Sequence, residues 1–314
     1  VLMAHLRIGT RGSPLALAQA REVRDRLGAA HPELSPPDAI DIEVIRTTGD
    51  RIQDRKLSEI GGKGLFTKEI EEALIDGRID VAVHSMKDVP TWLPEGLEIS
   101  AILPREDPRD AFFSPHGATL AALPPGAVVG TASLRRQAQV LRARPDLTVV
   151  PLRGNVQTRL GKLAAGQVDA TLLAAAGLKR LGMAEMIQAV LSPEEMLPAV
   201  AQGALGLEIR CDDRRTRDYL SALNDAASSK RVVAERACLA VLDGSCRTPI
   251  AAYAEFEGEE RLRLRALLAM PDGSRSWASE DSGPAETAAE LGRSLGERLR
   301  ADAGDAFFTA LGET

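Results

Sequence analysis

Two adjacent charged residues stand where a predicted strand ends in this 314-residue chain. Lys87 and Asp88 follow the apolar strand predicted at residues 79–84. In α/β proteins, sites form at the carboxyl ends of strands. Asp88 is therefore our candidate for stabilising developing positive charge or moving a proton, and a simple ion pair with Lys87 is the alternative. His84, at the same strand end, suits either the site or an ordinary buried position.

Arginine is concentrated in a second region, between Thr131 and Lys162. This window holds seven basic residues and the single acid Asp146, a net charge of +6 in a chain whose total is −6. Guanidinium groups and helix N-termini both bind anions, so we expect a carboxylate or phosphate clamp, with a solvated basic face as the alternative. The residues of the predicted clamp are Thr131, Ser133, Arg135, Arg136, Arg153, Asn155 and Arg159, joined by Arg11 from the N-terminal region.

The composition excludes several classes of protein. With 44% hydrophobic and 27% charged residues, the chain is typical of folded proteins. Its negative total charge and 3% aromatic residues argue against nucleic-acid binding. No apolar run reaches the length of a membrane span and residues 1–11 lack a signal-peptide pattern, so we predict a cytoplasmic protein without a membrane anchor.

The three cysteines form neither a disulfide framework nor a paired metal-binding motif, and we predict no metal site. Cys238 lies within a helical pattern and is predicted to be structural, whereas Cys211 is ambiguous. Cys246 follows a helix in a turn and is followed by Arg247, which makes it the thiol best placed for covalent attachment.

Two short patterns occur twice in the same order and predict two halves built alike. Gly9-Thr10 followed by Ser13 is echoed by Gly130-Thr131 followed by Ser133, and Gly77-x-Ile79-Asp80 by Gly166-x-Val168-Asp169. Strands alternate with helices, which predicts largely parallel sheets with an anion-binding cleft between the halves. The first half also carries an insertion that includes a predicted mobile loop at residues 47–63.

The pattern changes after the second half, which predicts a smaller third domain. A helix through residues 232–242, strands at 251–256 and 262–268 and a long helix from about Pro284 indicate an α+β fold. The predicted division is domain 1 at 1–103 and 204–222, domain 2 at 104–203 and domain 3 at 223–314.

Taken together, the motifs resemble those of the porphobilinogen deaminase family, also called hydroxymethylbilane synthases. The matching segments are Arg11–Gln19, Gly61–Phe66, His84–Pro90, Arg105–Ala111, Gly130–Arg136, Leu152–Asn155, Ala199–Ala204 and Gly244–Cys246. The resemblance implies two α/β domains like those of type II periplasmic binding proteins and a smaller α+β C-terminal domain. It also implies a monomer without an obligate protein partner.

The resemblance further implies a transferase of tetrapyrrole biosynthesis that deaminates four porphobilinogen molecules and joins them on a dipyrromethane primer. The family's catalytic aspartate falls on Asp88, and the cysteine that holds the primer by a thioether falls on Cys246. The implied cofactor-binding residues are Lys87, Thr131, Ser133, Arg135, Arg136, Arg153, Gly154 and Asn155. The implied substrate-binding residues are Arg11, Ser13, Gln19, Lys63, Phe66, Arg153, Arg159 and Gln202.

Two positions depart from the family pattern, because Ala201 and Ser245 stand where many members have glycine. Both side chains are small, so we expect differences in local backbone rather than in activity. The residues alone leave two other functions open. A two-lobed anion-binding protein would need neither Asp88 nor Cys246. A cysteine-nucleophile hydrolase would need a histidine near the thiol.

Overall fold

A computed structural model describes residues 6–51, 64, 66–242 and 248–311. The predicted positions Lys63, Ser245 and Cys246, and most of the predicted loop at 47–63, lie outside these residues. The elements of the first part of the chain are β1 (Leu6–Thr10), α1 (Pro14–Ala30), β2 (Ile40–Val44), α2 (Thr48–Arg51), α3 (Lys68–Ile75), β3 (Val81–Ser85) and β4 (Leu97–Ile102). Short 3-10 turns occur at Pro32–Leu34 and Met86–Asp88.

The middle of the chain repeats this alternation of strands and helices. Its elements are β5 (Asp110–Phe113), β6 (Val128–Gly130), α4 (Leu134–Ala143), β7 (Thr148–Val150), α5 (Val156–Ala164), β8 (Ala170–Ala174), α6 (Ala175–Arg180) and β9 (Ala189–Val190). Further 3-10 turns lie at Leu120–Ala122 and Ala184–Met186.

The last third contains long strands and long helices. They are β10 (Leu205–Arg210), α7 (Arg214–Ser221), α8 (Ala226–Val241), β11 (Ile250–Glu257), β12 (Arg261–Ala269), β13 (Ser276–Pro284), α9 (Ala288–Ala303) and α10 (Asp305–Ala310), with a 3-10 turn at Ala285–Thr287. Among the described residues, no helix combines the length and the apolar character that crossing a membrane would require.

Contacts divide the chain into two compact units. Unit 1 comprises the described residues up to Glu106 together with Gly203–Ser229, and unit 2 comprises Asp107–Gln202 and the described residues from Lys230 onward. The chain passes between the units near the predicted boundaries at 103/104 and 203/204. Unit 2 holds two sheets, and the predicted bounds of the three domains stay a prediction.

Each unit contains a five-stranded sheet of the same topology. The strand order is β2-β1-β3-β10-β4 in unit 1 and β7-β6-β8-β5-β9 in unit 2. Both neighbours of β1, which are β2 and β3, run parallel to it, and β7 and β8 likewise run parallel to β6. By contrast, β10 and β5 run antiparallel to the strands on both of their sides. The prediction of two similar, largely parallel sheets is thus confirmed, apart from one reversed strand in each, whose direction an apolar run does not reveal.

The repeated motifs make equivalent hydrogen bonds and packing contacts in both sheets. Asp80 accepts the backbone N–H of Arg7 at 2.8 Å, and its counterpart Asp169 accepts that of Val128 at 2.7 Å. A Cβ on Gly9 would collide with Ile79, just as a Cβ on Gly130 would collide with Leu152 and Val168. The glycines therefore permit β1 and β6 to pack closely against the segments that carry the motif aspartates.

The third sheet is antiparallel, in the order β11-β12-β13, and α9 packs on it. The predicted strands at 251–256 and 262–268 are confirmed. The predicted helix start at Pro284 is wrong, because Pro284 ends β13 and the helix begins at Ala288. Residues 276–284 are largely polar, since β13 lies at the sheet edge, and so they lack the apolar pattern by which strands are recognised.

Candidate active site

Helix α1 begins beside the C-terminal end of β1. The Ser13 hydroxyl caps it by accepting the backbone N–H of Ala16 at 3.2 Å, and Pro14 supplies the fixed φ that suits a first helical turn. Buried positions 16, 20, 23 and 27 follow helical spacing and fix the helix on the sheet. The residues that precede and open the helix, Arg11 and Ser13, are thereby held at the sheet's carboxyl edge.

A small cavity of about 60 Å³ lies at this edge within unit 1. Its lining includes five of the predicted site residues, namely Arg11, Ser13, Gln19, Phe66 and Asp88, together with His84 and Ser85. The guanidinium carbon of Arg11 lies 4.2 Å from the centroid of the Phe66 ring, a cation–π contact. The Gln19 amide donates to the Ser85 hydroxyl at 3.0 Å. The structure therefore gathers residues that are up to 77 positions apart in the sequence around one cavity.

Asp88 reaches the cavity from the 3-10 turn that directly follows β3. Its side chain and that of Lys87 are exposed. Within the described segments, no hydrogen bond or ion pair ties the Asp88 carboxylate to another residue. A carboxylate in this state can be desolvated by a ligand and can face positive charge that develops on it.

Helix α4 opens the corresponding place in unit 2. The Ser133 hydroxyl accepts the backbone N–H of Arg136 at 3.3 Å, and the Thr131 hydroxyl accepts that of Ser133 at 3.1 Å. Both oxygens thus shape the helix start, and each hydroxyl still carries its own O–H donor.

Arg135 and Arg136 are buried, and both pair with Asp110, the first residue of β5. Arg135 Nη2 lies 2.8 Å from Asp110 Oδ2, and Arg136 Nη2 lies 2.7 Å from Oδ1. The same guanidiniums donate to the carbonyls of Leu197 and Leu172. The two arginines are therefore held rigidly by a single acid.

The charge balance of this cluster appears in the pKa of Asp110. Burial alone would raise that pKa, but the charges of Arg135 and Arg136 and hydrogen bonds from Arg136 and Gln202 outweigh burial and hold it well below the usual range. The Gln202 amide donates to Asp110 Oδ1 at 2.9 Å and to the Pro108 carbonyl at 2.8 Å. Gln202, predicted to bind substrate, thus forms part of the arginine support.

Arg159 differs from these arginines because, in the described part of the chain, no carboxylate pairs with it. Burial and, as the smaller cause, the nearby charge of Arg136 lower its pKa to about 10. Its Nε approaches only the carbonyl of Asn155, at 3.5 Å. A half-buried cation with a like charge beside it is stabilised when an anion binds.

The turn from Arg153 to Asn155 brings a further arginine into unit 2. Asn155 caps α5 by accepting the Thr158 backbone N–H at 2.8 Å. Gly154 has φ of +121°, and a Cβ there would meet the Thr158 side chain at 2.7 Å, so glycine is required. Arg153 is half-buried, and its carbonyl accepts Lys162 Nζ at 3.0 Å.

Sequence reasoning missed Asp110 as a partner of the arginines, although it belongs to the segment Arg105–Ala111 used for the family resemblance. The available signal was an acid placed directly before the apolar run Ala111-Phe112-Phe113, where a carboxylate must be buried. A buried carboxylate requires partners, and Arg135 and Arg136 lie too far along the chain for their pairing to be read from spacing.

Comparison with known proteins decides the family. The family model described as "Porphobilinogen deaminase, dipyromethane cofactor binding domain" matches residues 6–218, and the model described as "Porphobilinogen deaminase, C-terminal domain" matches residues 229–301. The chain belongs to the porphobilinogen deaminase family. Porphobilinogen deaminase of Paracoccus denitrificans is 59% identical over 303 residues, 96% of each chain. The chloroplastic enzyme of Oryza sativa subsp. japonica is 58% identical over 98% of this chain and 86% of its own length.

Among solved structures, the periplasmic sulfonate-binding protein SsuA of Methylobacillus flagellatus KT is similar at 16% identity and a TM-score of 0.36, over 74% of this chain and 66% of that chain. The fold class rests instead on the strand orders of the three sheets and on the family match. The predicted fold of two α/β domains and a smaller α+β domain is confirmed.

As a member of this family, the chain is an enzyme of tetrapyrrole biosynthesis with a dipyrromethane cofactor-binding domain. It decides against the anion-binding protein without catalysis and against the cysteine hydrolase. The cytoplasmic location, the monomeric state, the covalent attachment to Cys246 and the roles of individual residues stay predictions.

Proposed function

We propose that this chain joins four porphobilinogen molecules head to tail on a dipyrromethane held by a thioether to Cys246, and releases hydroxymethylbilane and ammonia. The observation that carries the proposal is the cavity of unit 1, where Asp88 lies together with Arg11, Ser13 and Gln19. The family match over nearly the whole chain supports the same reaction.

Asp88 acts on the charge that the reaction creates. When the aminomethyl C–N bond of porphobilinogen breaks, ammonia leaves with the electron pair and the pyrrole becomes cationic. The new C–C bond then forms, and the attacking pyrrole carbon loses its proton. The Asp88 carboxylate stabilises the cation and assists transfer of that proton, and its exposed position at the cavity leaves it available to do so.

Arginines supply the recognition of the substrate's acetate and propionate groups. Arg11 and Ser13 bind them at the cavity of unit 1, and Arg159 binds them in unit 2, where it meets no other carboxylate of the described segments. Gln19, Lys63, Phe66, Arg153 and Gln202 complete the proposed substrate-binding set.

The residues of unit 2 fit a dipyrromethane, whose acidic side chains require cationic partners. Arg159 is such a cation, and the buried Arg135 Nε has no hydrogen-bond partner among the described residues. The proposed cofactor-binding residues are Lys87, Thr131, Ser133, Arg135, Arg136, Arg153, Gly154 and Asn155. When bound, dipyrromethane supplies the pyrrole carbon to which the first substrate is joined.

The intact mass of the purified chain tests the covalent attachment. We expect the mass to exceed that of the sequence by two linked pyrrole units, and peptide mapping to place the addition on Cys246. The Cys246→Ser variant should lack the addition and the activity. The matched control is Cys211→Ser, which removes an exposed thiol elsewhere and should keep both. An active chain without the added mass, or an addition that persists in Cys246→Ser, would contradict the proposal.

A further inference from the structure

A buried cluster of titratable side chains lies behind the cavity that contains Asp88. His84 on β3 and Glu208 on β10 are 5% and 0% exposed, and His84 Nε2 lies 2.7 Å from Glu208 Oε2. The second carboxylate oxygen, Glu208 Oε1, is buried and has no hydrogen-bond partner among the described residues. Glu71 on α3 lies on the same side of the sheet. No role assigned so far uses these groups.

The cluster is connected to the cavity through His84, which is one of its lining residues. Thr67, another lining residue, directly precedes α3, and its carbonyl accepts the backbone N–H of Glu71 at 2.8 Å. Burial raises the pKa of Glu71, the nearby charge of Glu208 adds to this rise, and the neighbouring Thr67 and His84 oppose it. His84 is thus the point at which buried carboxyl groups from β10 and α3 face the cavity wall.

The strand end that precedes Asp88 is held from both faces of the sheet. On the α1 face, the Ser85 hydroxyl receives the hydrogen bond from Gln19. On the α3 face, Glu208 holds His84. Met86, in the same 3-10 turn as Asp88, lies so close to Gly206 that a Cβ on this glycine would collide with the Met86 sulfur.

Unit 2 shows that the fold itself does not require this ionisable pair. Because Gly9 and Gly130 occupy equivalent positions, the registers of the two sheets can be matched residue by residue. Leu173 then takes the place of His84, and Phe113 that of Glu208. Both are buried in an apolar cluster. The sheet that lacks a carboxylate after its strand uses an apolar pair at this position.

We propose that Glu208 is a positioning residue for catalysis, which accepts the Nε2–H of His84 and so fixes the imidazole and the end of β3 that carries Asp88. A buried ion pair is weak evidence for stability, since apolar residues of similar volume often stabilise a protein equally well. Displacement of a reacting group by about 1 Å can lower a rate about a hundredfold. This proposal rests on the proposed role of Asp88.

The deciding comparison uses two variants of the cofactor-loaded enzyme. Glu208→Gln keeps an acceptor for His84, and we expect kcat to fall about tenfold with KM within about twofold. The double variant His84→Leu/Glu208→Met copies the apolar character of unit 2 and removes both members of the buried pair together, so it should fold with nearly unchanged Tm. Its kcat should fall about a hundredfold or more, with cofactor content unchanged by intact mass.

Asp80→Asn is the matched control, because Asp80 is a half-buried acid at the opposite end of β3, paired with Arg7 and Arg210. It should lower Tm and leave kcat unchanged. A double variant with wild-type kcat, or Glu208 variants that alter only Tm or KM, would overturn the proposal. If Asp88→Ala is inactive while these variants are normal, only the positioning role fails. If Asp88→Ala is fully active, the proposed function of Asp88 fails as well.

Discussion

Asp88 and Asp110 are the same side chain in two opposite environments. Asp88 follows a parallel strand in unit 1 and is exposed at a cavity, whereas Asp110 begins the reversed strand in unit 2 and is fully buried. Arg136 and Gln202 donate to Asp110 Oδ1, and Arg135 forms an ion pair with Oδ2. At the position equivalent to Asp110, unit 1 has the apolar Leu205. The same sheet arrangement thus exposes a carboxylate at a cavity in one unit and buries one against two arginines in the other.

Replacement of Asp88 should produce the largest change in activity. The Asp88 carboxylate is exposed and has no hydrogen bond or ion pair within the described residues. Asp88→Ala should therefore fold with an unchanged Tm, while kcat falls about a thousandfold or more. Steady-state kinetics and thermal unfolding measure the two effects. The control Asp76→Asn removes an exposed acid at the end of α3 and should retain full activity. An active Asp88→Ala enzyme would show that the exposed Asp88 is not needed for the reaction.

Replacement of Asp110 should instead reduce stability. Asp110→Asn leaves two buried guanidiniums without a counter-charge, which we expect to lower the free energy of unfolding by about 3–5 kcal/mol. Urea unfolding measures this loss. Asp146→Asn is a suitable control, since Asp146 also pairs with an arginine, Arg144, but lies at the surface, where solvent weakens the pair, and its replacement should change stability far less. Equal losses in the two variants would show that burial of Asp110 is unimportant.

The pH dependence of the free energy of unfolding should reflect the ionisation of Asp110. The folded-state pKa of Asp110 is held below its unfolded value, so its contribution to stability is fully present above the unfolded pKa and is lost as the pH falls through the folded one. Unfolding free energies measured from pH 5 down to pH 2 should therefore decline as the pH falls below about 4. The decline should be shallower in Asp110→Asn, and an unchanged slope would contradict the ion pair.

Replacement of Arg159 tests whether this cation of unit 2 binds the substrate. Arg159→Gln removes a half-buried charge that meets no carboxylate in the described residues, so we expect stability to be retained. The loss of a charge-assisted hydrogen bond to the ligand should raise KM for porphobilinogen about tenfold. The exposed Arg142, on α4, provides the control variant Arg142→Gln, whose KM should be unchanged.

The elements and much of the site could be predicted because they depend on local rules. Ser13 and Ser133 cap helices as their spacing indicates, and the exposed Asp88 lies at a strand end as the apolar run before it implies. The pairing of Asp110 with arginines 25 and 26 residues away, and of His84 with Glu208 at 124 residues, depends on sheet register. No local pattern encodes that register, and so these partners required the structure.

Ala201 gives the smallest predicted effect, and it concerns the backbone beside the Asp110 support. It is the only described non-glycine residue with a positive φ, +57°, and it directly precedes Gln202. Its N–H donates to the buried Glu235 at 2.6 Å, a bond that glycine would keep. Ala201→Gly should therefore relieve strain and raise the free energy of unfolding by about 1 kcal/mol.

The control Ala199→Gly, two residues earlier and without a positive φ, should lower stability by about 0.5–1 kcal/mol, because glycine gains freedom in the unfolded chain. Opposite signs for these two alanine-to-glycine changes would locate the strain at Ala201. Activity should be unaffected in both, because Gln202 is held by its own hydrogen bonds to Asp110 and Pro108 rather than by the strained backbone before it. A loss of activity in Ala201→Gly would show that the left-handed alanine helps to set the Gln202 amide, and hence the orientation of the arginines that Asp110 holds.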